Sequence, residues 1–159
     1  MPLLGQVFSN PKIVKVFHGC DKDILWLQRD FGLYIINCFD THIAAKALHY
    51  PVLSLAHLLR YHCDITADKK HQLSDWRQRP ISNEMLHYAQ QDTKYLLYIY
   101  DAMRKELFKT LGYIGLEHVF DASKQLCLNR YEKMTFNPEG YQMILQQGIF
   151  INRIILYHI

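Results

Sequence analysis

The sequence lacks any pair of closely spaced cysteines. Its 159 residues contain four cysteines, Cys20, Cys38, Cys63 and Cys127, and none of them forms the Cys-x-x-Cys spacing of a zinc ribbon. Widely separated cysteines are typical of reduced thiols in the cytosol or nucleus. The pattern therefore argues against a disulfide-rich secreted domain and against a zinc site built from cysteine pairs.

Long apolar runs, low-complexity tracts and a strong charge imbalance are also missing. No run approaches the roughly 18 apolar residues that a membrane-spanning helix needs, and residues 1–5 lack the basic region of a secretory signal. The net charge of +3 permits an anionic partner without selecting one. Half of the residues are hydrophobic, so we expect one soluble, intracellular domain with its own core and no membrane partner.

The first 40 residues predict a strand–helix–strand unit. Residues 12–19 are rich in β-branched side chains and end at a glycine, and residues 33–39 form a similar apolar run. Between them, Asp21 is placed to cap a helix that ends at Gly32. This order implies two parallel strands joined by a right-handed crossover, and therefore an α/β fold.

The remainder of the sequence is mostly helical in pattern. We expect a short helix over residues 41–48, and a second helix capped by Ser54. A polar, irregular stretch should follow over residues 63–81. The strongest helical signal covers residues 82–109, with a possible break near Asp92, and its apolar positions fall close to helical spacing. Residues 110–147 predict helix plus loop, and residues 148–159 are unusually apolar.

Three residues could carry chemistry. Asp23 follows the first strand, at the sheet edge where open α/β folds bind ligands. Tyr88 and Asp92 are four residues apart, about 40° from each other on a helix surface. Carboxylates can hold the two metal ions that hydrolyse phosphodiesters, and a phenol can orient water. Considered alone, Asp23 would be a helix cap. Tyr88 would be a phenol in the core, and Asp92 would be a charge on the surface.

Longer stretches around these residues resemble the RNase D-like 3′–5′ exonuclease family, most closely its nuclear-exosome branch. The segment HGCDKDILWLQRDFG at 18–32 resembles the second exonuclease motif, and FDT at 39–41 follows at the family's distance. DWRQRP at 75–80 is similar as well. The segment YAQQDTKYLLYIYD at 88–101 resembles the third motif, with its Tyr-x-x-x-Asp core. The resemblance covers roughly residues 5–145.

This resemblance implies a fold, an activity and a role for each matching residue. The fold would be an RNase H-like 3′–5′ exonuclease domain that lacks its first β-strands and has a helix-rich C-terminal part. Asp23 and Asp92 match metal ligands from a set of four acids that hold two divalent ions, Mg²⁺ or Mn²⁺. Tyr88 matches the water-orienting tyrosine, and Asp40 matches an aspartate that we interpret as structural.

The sequence departs from the family pattern at its start. The family's first motif, Asp-x-Glu, supplies two of the four acids, but no Asp or Glu precedes Asp21. We therefore expect this chain to be inactive alone. We predict a partial exonuclease domain over residues 1–109. A helical extension over 110–145 would point toward an absent helical nucleic-acid-binding domain, and an atypical apolar tail would occupy 146–159.

A histidine next to Tyr88 makes the subgroup ambiguous. His87 and Asp92 also fit the His-x-Ala-x-x-Asp motif of a sister group that uses histidine. On a continuous helix His87 lies about 140° from Asp92, whereas Tyr88 lies only about 40° from it. The tyrosine subgroup is therefore the favoured interpretation.

The stretch between the predicted helices could bind a nucleic-acid strand. Basic side chains contact phosphates and an aromatic ring can stack on bases, and the candidates are Lys69, Lys70, Trp76, Arg77 and Arg79. The alternative is a solvated loop anchored to the core by Trp76. The resemblance implies single-stranded RNA 3′ ends and the exosome core as partners, ribosomal and nuclear RNA processing as the role, and a nuclear, specifically nucleolar, location.

Two other functions remain open from the sequence. A chain without the first motif could be a non-catalytic remnant that binds RNA or docks on the exosome. A DNA 3′–5′ exonuclease of the same superfamily is the third possibility, and a preference for DNA ends would identify it.

Overall fold

The computed structural model describes residues 2–68 and 70–133, apart from the side chains of Pro2, Leu3 and Asp92. Within these residues the elements follow in the order α1 (Pro2–Phe8), β1 (Lys15–Phe17), α2 (Asp21–Phe31), β2 (Cys38–Asp40), α3 (Thr41–Ala47), α4 (Leu55–Cys63), α5 (Asn83–Lys94) and α6 (Leu96–Leu128). None of these helices is long and apolar enough to cross a lipid bilayer.

The two strands pair in parallel, as the strand–helix–strand pattern predicts. Val16 lies opposite Phe39, and Lys15 and Phe17 lie opposite Cys38 and Asp40. Helix α2 provides the crossover between them. The parallel pair places the carboxyl ends of both strands at one edge, which is the edge where α2 and α3 begin.

The second strand is shorter than predicted and begins later. Residues 33–36 alternate between buried and exposed side chains, as a strand would. Their backbone, however, makes one long-range bond, from the Ile36 N–H to the Phe8 carbonyl (3.0 Å). The β-ladder starts only at Cys38, because the partner strand β1 has three residues. Side-chain alternation reports burial on one face, whereas a strand also needs a backbone partner.

Helix α2 begins at a different residue from the one predicted. Asp21 is the first helical residue, and Cys20 occupies the cap position without a side-chain cap hydrogen bond. The expectation that Asp21 caps this helix is therefore wrong. The predicted end is confirmed, because Gly32 takes the left-handed conformation that favours glycine, with φ of 62°.

The later helices mostly follow the predicted positions. Ser54 caps α4 by accepting a hydrogen bond from the His57 N–H, as predicted. The break in the long helical signal occurs at Tyr95, three residues after Asp92, and separates α5 from α6. Helix α6 then continues to Leu128, with one non-helical residue, Gly112, at φ of 66°.

Helix α6 forms one wall of the main core. Its buried residues Ile99, Met103 and Leu107 repeat at four-residue intervals, as predicted, and face Phe39 of β2. The Phe39 ring also packs edge-on against Tyr100 (4.8 Å between ring centroids). Residues on both sides of position 109 belong to this core. The proposed domain boundary at that position remains a prediction.

Candidate active site

Asp40 fixes the carboxyl ends of the two strands. Its side chain is fully buried. It accepts hydrogen bonds from the backbone N–H groups of Gly19 (2.9 Å), Cys20 (2.9 Å) and His42 (2.8 Å). Burial alone would raise the pKa of the Asp40 carboxyl, but these donors hold it below its ordinary value. This carboxylate joins the β1–α2 turn to the start of α3, which matches the structural interpretation of Asp40.

Asp23 lies in the first turn of α2, close to the same sheet edge. Its side chain is exposed, yet partial desolvation raises its pKa, and repulsion from Asp21 and Asp40 adds to this effect. Among the described residues, no side chain donates a hydrogen bond or a positive charge to it. Asp23 is therefore an accessible carboxylate in a locally negative environment, where a cation would relieve the repulsion.

Tyr88 is held on α5 by aromatic contacts with the preceding loop. Its ring centroid lies 5.9 Å from the Trp76 ring and 5.9 Å from the His71 ring. The Trp76 indole N–H in turn donates to the His71 carbonyl (3.2 Å). These contacts fix the position of the Tyr88 ring from one side.

A cavity of about 570 Å³ lies beside Tyr88. Its walls come from the end of α4, the loop that follows it and one face of α5, and include Leu59, Ile65, His71, Glu84, His87 and Tyr88. Asp23 is not among the lining residues. The described side chains therefore place Tyr88 at a cavity on α5 and Asp23 at the sheet edge.

Two predicted site residues have no described side chain. The backbone of Asp92 lies in α5, one turn after Tyr88, but its side chain is not described. Lys69 is not described either. The described residues contain no group of three or more histidine, cysteine or acidic side chains that could hold a metal ion. The assignments of Asp23, Asp92 and Tyr88 to catalysis remain predictions.

The candidate RNA-binding side chains are engaged within their own loop. Lys70 pairs with Glu84 (2.8 Å), and Arg77 pairs with Asp75 (2.8 Å). Arg79 donates to the carbonyl oxygens of Trp76 and Gln78 (2.8 and 2.9 Å). Lys70, Arg77 and Arg79 are nevertheless exposed, whereas Trp76 is half-buried. Trp76 anchors the loop to Tyr88, and the basic groups lie on the solvent side.

His71 lies beside the candidate site, although no sequence pattern selected it. Its Nδ1 lies 3.0 Å from the Ser74 hydroxyl, and its Nε2 lies 3.7 Å from the Glu84 carboxylate. The ring faces both the cavity and Tyr88. A histidine within a polar loop carries no periodic signal. Its position five residues before Trp76 in the same loop was the available hint.

His87 borders the same cavity as Tyr88. It is exposed, and its Nε2 lies 3.2 Å from the Gln91 side-chain nitrogen, one turn further along α5. Both residues line the cavity, so their position there does not show which of them would act on the attacking water. The helical angles toward Asp92 still favour tyrosine, and this choice remains a prediction.

Comparison with known sequences identifies close relatives. The chain is 50% identical over 139 residues to a *Caenorhabditis elegans* protein named exosome complex component 10 homolog, covering 87% of this chain and 16% of that protein. It is 48% identical to human exosome complex component 10, covering 89% and 16%. It is 46% identical to the yeast exosome complex exonuclease RRP6, covering 98% and 21%. The chain thus spans about a sixth to a fifth of these relatives' length.

Solved structures agree with the predicted fold. The catalytic core of RRP6 from *Trypanosoma brucei* superposes with a TM-score of 0.79 at 48% identity, covering 93% of this chain and 40% of that one. *Escherichia coli* RNase D, described as an exoribonuclease, superposes with a TM-score of 0.72 at 26% identity, covering 82% and 34%. The prediction of an RNase H-like exonuclease domain with a helix-rich C-terminal part is confirmed.

A family model described as 3′–5′ exonuclease matches residues 1–108. Such exonucleases generally use divalent metal ions. The chain belongs to the 3′–5′ exonuclease family.

Proposed function

We propose that this chain is part of a 3′–5′ exoribonuclease of the nuclear exosome, which removes nucleotides one at a time from RNA 3′ ends. The observation that carries the proposal is the 50% identity to an exosome complex component 10 homolog across 87% of the chain. The exosome core and RNA 3′ ends are the proposed partners. Ribosomal and nuclear RNA processing in the nucleus, and specifically the nucleolus, is the proposed setting.

Asp23 and Asp92 are the residues that would hold the metal ions. The environment of Asp23 fits this role, because its carboxylate is exposed, lacks a partner among the described side chains and is repelled by Asp21 and Asp40. Hard carboxylate oxygens favour Mg²⁺ or Mn²⁺ over softer metals. When bound, two such ions would polarise the phosphodiester and activate the attacking water.

Tyr88 would orient the attacking water through its hydroxyl group. Trp76 and His71 hold the ring, so the hydroxyl has a fixed position beside the cavity. A phenol can both donate and accept a hydrogen bond without acting as a strong base. The ring contacts fix the geometry, and the hydroxyl supplies the chemistry.

The loop before α5 would guide the RNA strand. Lys69, Lys70, Arg77 and Arg79 would contact phosphates, while Trp76 shapes the surface by its contact with Tyr88. Lys70 and Arg77 are paired with exposed carboxylates, and such pairs contribute little stability at a surface. They can therefore exchange a carboxylate partner for a phosphate at small cost.

The test measures nucleotide release in a chain fused behind a strand that carries Asp-x-Glu. Labelled single-stranded RNA and DNA of one sequence are incubated with Mg²⁺ or Mn²⁺, and mononucleotides are counted. We expect release from RNA 3′ ends. Asp23→Asn and Asp92→Asn should each reduce it at least about 100-fold, a loss of about 3 kcal/mol of transition-state stabilisation. Tyr88→Phe should slow release while RNA binding persists.

Asp30→Asn is the matched control, because Asp30 is exposed on the same helix but lies in its last turn, paired with Arg29 (2.6 Å). It should leave the release rate within about twofold of the parent, which corresponds to about 0.4 kcal/mol. Faster release from DNA would identify a DNA exonuclease. RNA binding without hydrolysis would identify a non-catalytic RNA-binding module. A severe His87→Ala variant beside a mild Tyr88→Phe variant would move the chain to the histidine subgroup.

A further inference from the structure

Three of the four cysteines lie in one cluster at the β-strands, although they are far apart in the sequence. Cys20 precedes α2, Cys38 begins β2 and Cys127 lies in the last turn of α6. The sulfur atoms of Cys20 and Cys38 are 4.0 Å apart. Cys127 packs against the buried cluster that contains both Cys20 and Cys38. Cys38 therefore lies in one cluster with both of the others.

Two members of this cluster line a cavity. Cys38 and Cys127 both line a cavity of about 270 Å³ between residues 35–38 and the last turns of α6. Cys127 is half-buried, whereas Cys38 is buried. Cys20 is fully buried and does not line the cavity. A small oxidant in this cavity would meet Cys127 first, with Cys38 behind it.

The charges around the cluster favour Cys127 as the reactive thiol. The neighbouring Cys38 thiol lowers the pKa of Cys127; burial opposes this, the positive charge of Lys15 supports it and Asp40 opposes it. The neighbouring thiols of Cys127 and Cys20, together with burial, raise the pKa of Cys38. Lys124 and Asp121 also line the cavity. Cys127 is therefore the more readily ionised thiol of the pair.

We propose that Cys127 and Cys38 form a peroxide-sensitive thiol pair that closes to an intramolecular disulfide. The pair would connect β2 to the C-terminal end of α6. Its reactant is a small hydroperoxide such as hydrogen peroxide. The proposal is independent of the exonuclease assignment, because it uses none of the residues proposed for hydrolysis.

The chemistry balances in two steps. The Cys127 thiolate attacks one oxygen of hydrogen peroxide, the O–O bond breaks, and sulfenic acid and hydroxide form. The Cys38 sulfur then attacks the sulfenic sulfur, and the departing hydroxide takes the Cys38 proton and leaves as water. Two thiols are oxidised to one disulfide, and one peroxide is reduced to water and hydroxide. The hydroxide is neutralised by the proton that Cys127 released on ionisation.

The test treats the full 159-residue chain with hydrogen peroxide, blocks free thiols and maps the peptides without reduction. We expect a Cys38–Cys127 linked peptide that dithiothreitol removes. Cys127→Ser should abolish this peptide. Cys63→Ser is the matched control, because Cys63 is also half-buried but packs against the main core instead of this cluster. Cys63→Ser and Cys20→Ser should both retain the link.

Cys38→Ser gives a second measurement that does not depend on disulfide formation. Without its resolving thiol, the Cys127 sulfenic acid should persist and be trapped by dimedone, whereas the parent chain should give little adduct. A circular dichroism melt would verify that each variant is folded. A Cys20–Cys38 link, a link that includes Cys63, or cross-links only between molecules would overturn the proposal. So would unchanged thiols after treatment.

Discussion

Helices α2 and α3 both begin near the carboxyl end of a strand, and each has an aspartate at its start, yet the two regions differ in burial, hydrogen bonding and pKa. At α3, Asp40 is fully buried and accepts three backbone hydrogen bonds. At α2, Asp21 and Asp23 are exposed. The pKa of Asp40 is lowered, whereas the pKa of Asp23 is raised.

This contrast separates a structural carboxylate from one that can bind a ligand. The oxygens of Asp40 are already occupied by N–H donors, so a metal ion would have to displace them. Among the described residues, no other residue donates a hydrogen bond to the Asp23 carboxylate, and the negative charge of Asp40 contributes to its raised pKa. The buried aspartate thus fixes the strand ends and also adds to the field that favours a cation at Asp23.

The largest effect should come from Asp40→Ala. The substitution removes the cap of α3 and leaves the N–H groups of Gly19, Cys20 and His42 without their acceptor. We expect the free energy of unfolding to fall by about 3–5 kcal/mol, because each buried unsatisfied donor costs about 1–3 kcal/mol. Urea denaturation followed by circular dichroism would measure the loss.

Asp40→Asn provides the graded control for this prediction. Its side-chain oxygen can still serve Gly19 and His42, but its amide group would face the Cys20 N–H, a donor against a donor. The loss should therefore be smaller than for alanine. Equal stability of the parent and the alanine variant would show that the two aspartate regions do not differ in the way described.

A smaller effect should come from Ser123→Ala on α6. The Ser123 hydroxyl is fully buried, donates to the Val119 carbonyl (2.7 Å) and accepts from the Asp40 N–H (3.0 Å). Its removal leaves that N–H unsatisfied, so unfolding should become easier by about 1–2 kcal/mol. The same denaturation experiment would measure this change.

Thr110→Ala is the matched control for Ser123→Ala. Thr110 makes the same kind of bond, from its hydroxyl to the Glu106 carbonyl (2.8 Å), but it is exposed on the same helix. Its removal should change stability by no more than about 0.5 kcal/mol. A loss as large as that of Ser123→Ala would mean that the hydroxyl–carbonyl bond matters and the link to Asp40 does not.

Much of the fold followed from local sequence signals. Gly32 ends α2 and Ser54 caps α4 as predicted, since glycine tolerates the left-handed conformation and serine accepts from a helical N–H. The strand limits did not follow, because the alternation at residues 33–36 records burial but not backbone pairing. A helix cap depends on the residue next to the helix end. The length of a strand also depends on its partner strand, which a different part of the sequence encodes.

The candidate site residues were predicted mainly from their resemblance to family motifs, and less from the physical properties of each residue. Asp23 and Tyr88 were selected because longer segments resembled a family, and each residue alone had an ordinary structural explanation. The cluster of Cys20, Cys38 and Cys127 was not predicted. Its three members are remote in sequence and meet only when β2 and the end of α6 come together. Contacts of this range leave no periodic signal.

The smallest effect, with the opposite sign, should come from Asp23→Asn. The raised pKa means that the folded state holds the Asp23 proton more tightly than the unfolded state does. The ionised carboxylate therefore destabilises the folded state. This penalty is fully present above the folded-state pKa and disappears as pH falls below the unfolded value of about 3.9. Asn at this position should remove the penalty, so the variant should be slightly more stable at neutral pH.

The experiment measures urea denaturation of the parent and Asp23→Asn from pH 7 down to pH 4, with a chelator present. At pH 7 the variant should gain up to about 0.5 kcal/mol, a modest amount because the group is exposed. The gain should shrink as pH falls, since Asp23 of the parent then becomes protonated.

The Asp40 carboxylate has the opposite effect on stability: its stabilisation is present above the unfolded pKa and is lost as pH falls through the lowered folded-state pKa. Asp121→Asn, an exposed change on α6, is the matched control. A loss of stability in Asp23→Asn at pH 7 would show that Asp23, like Asp40, stabilises the fold, and the contrast between the two regions would fail.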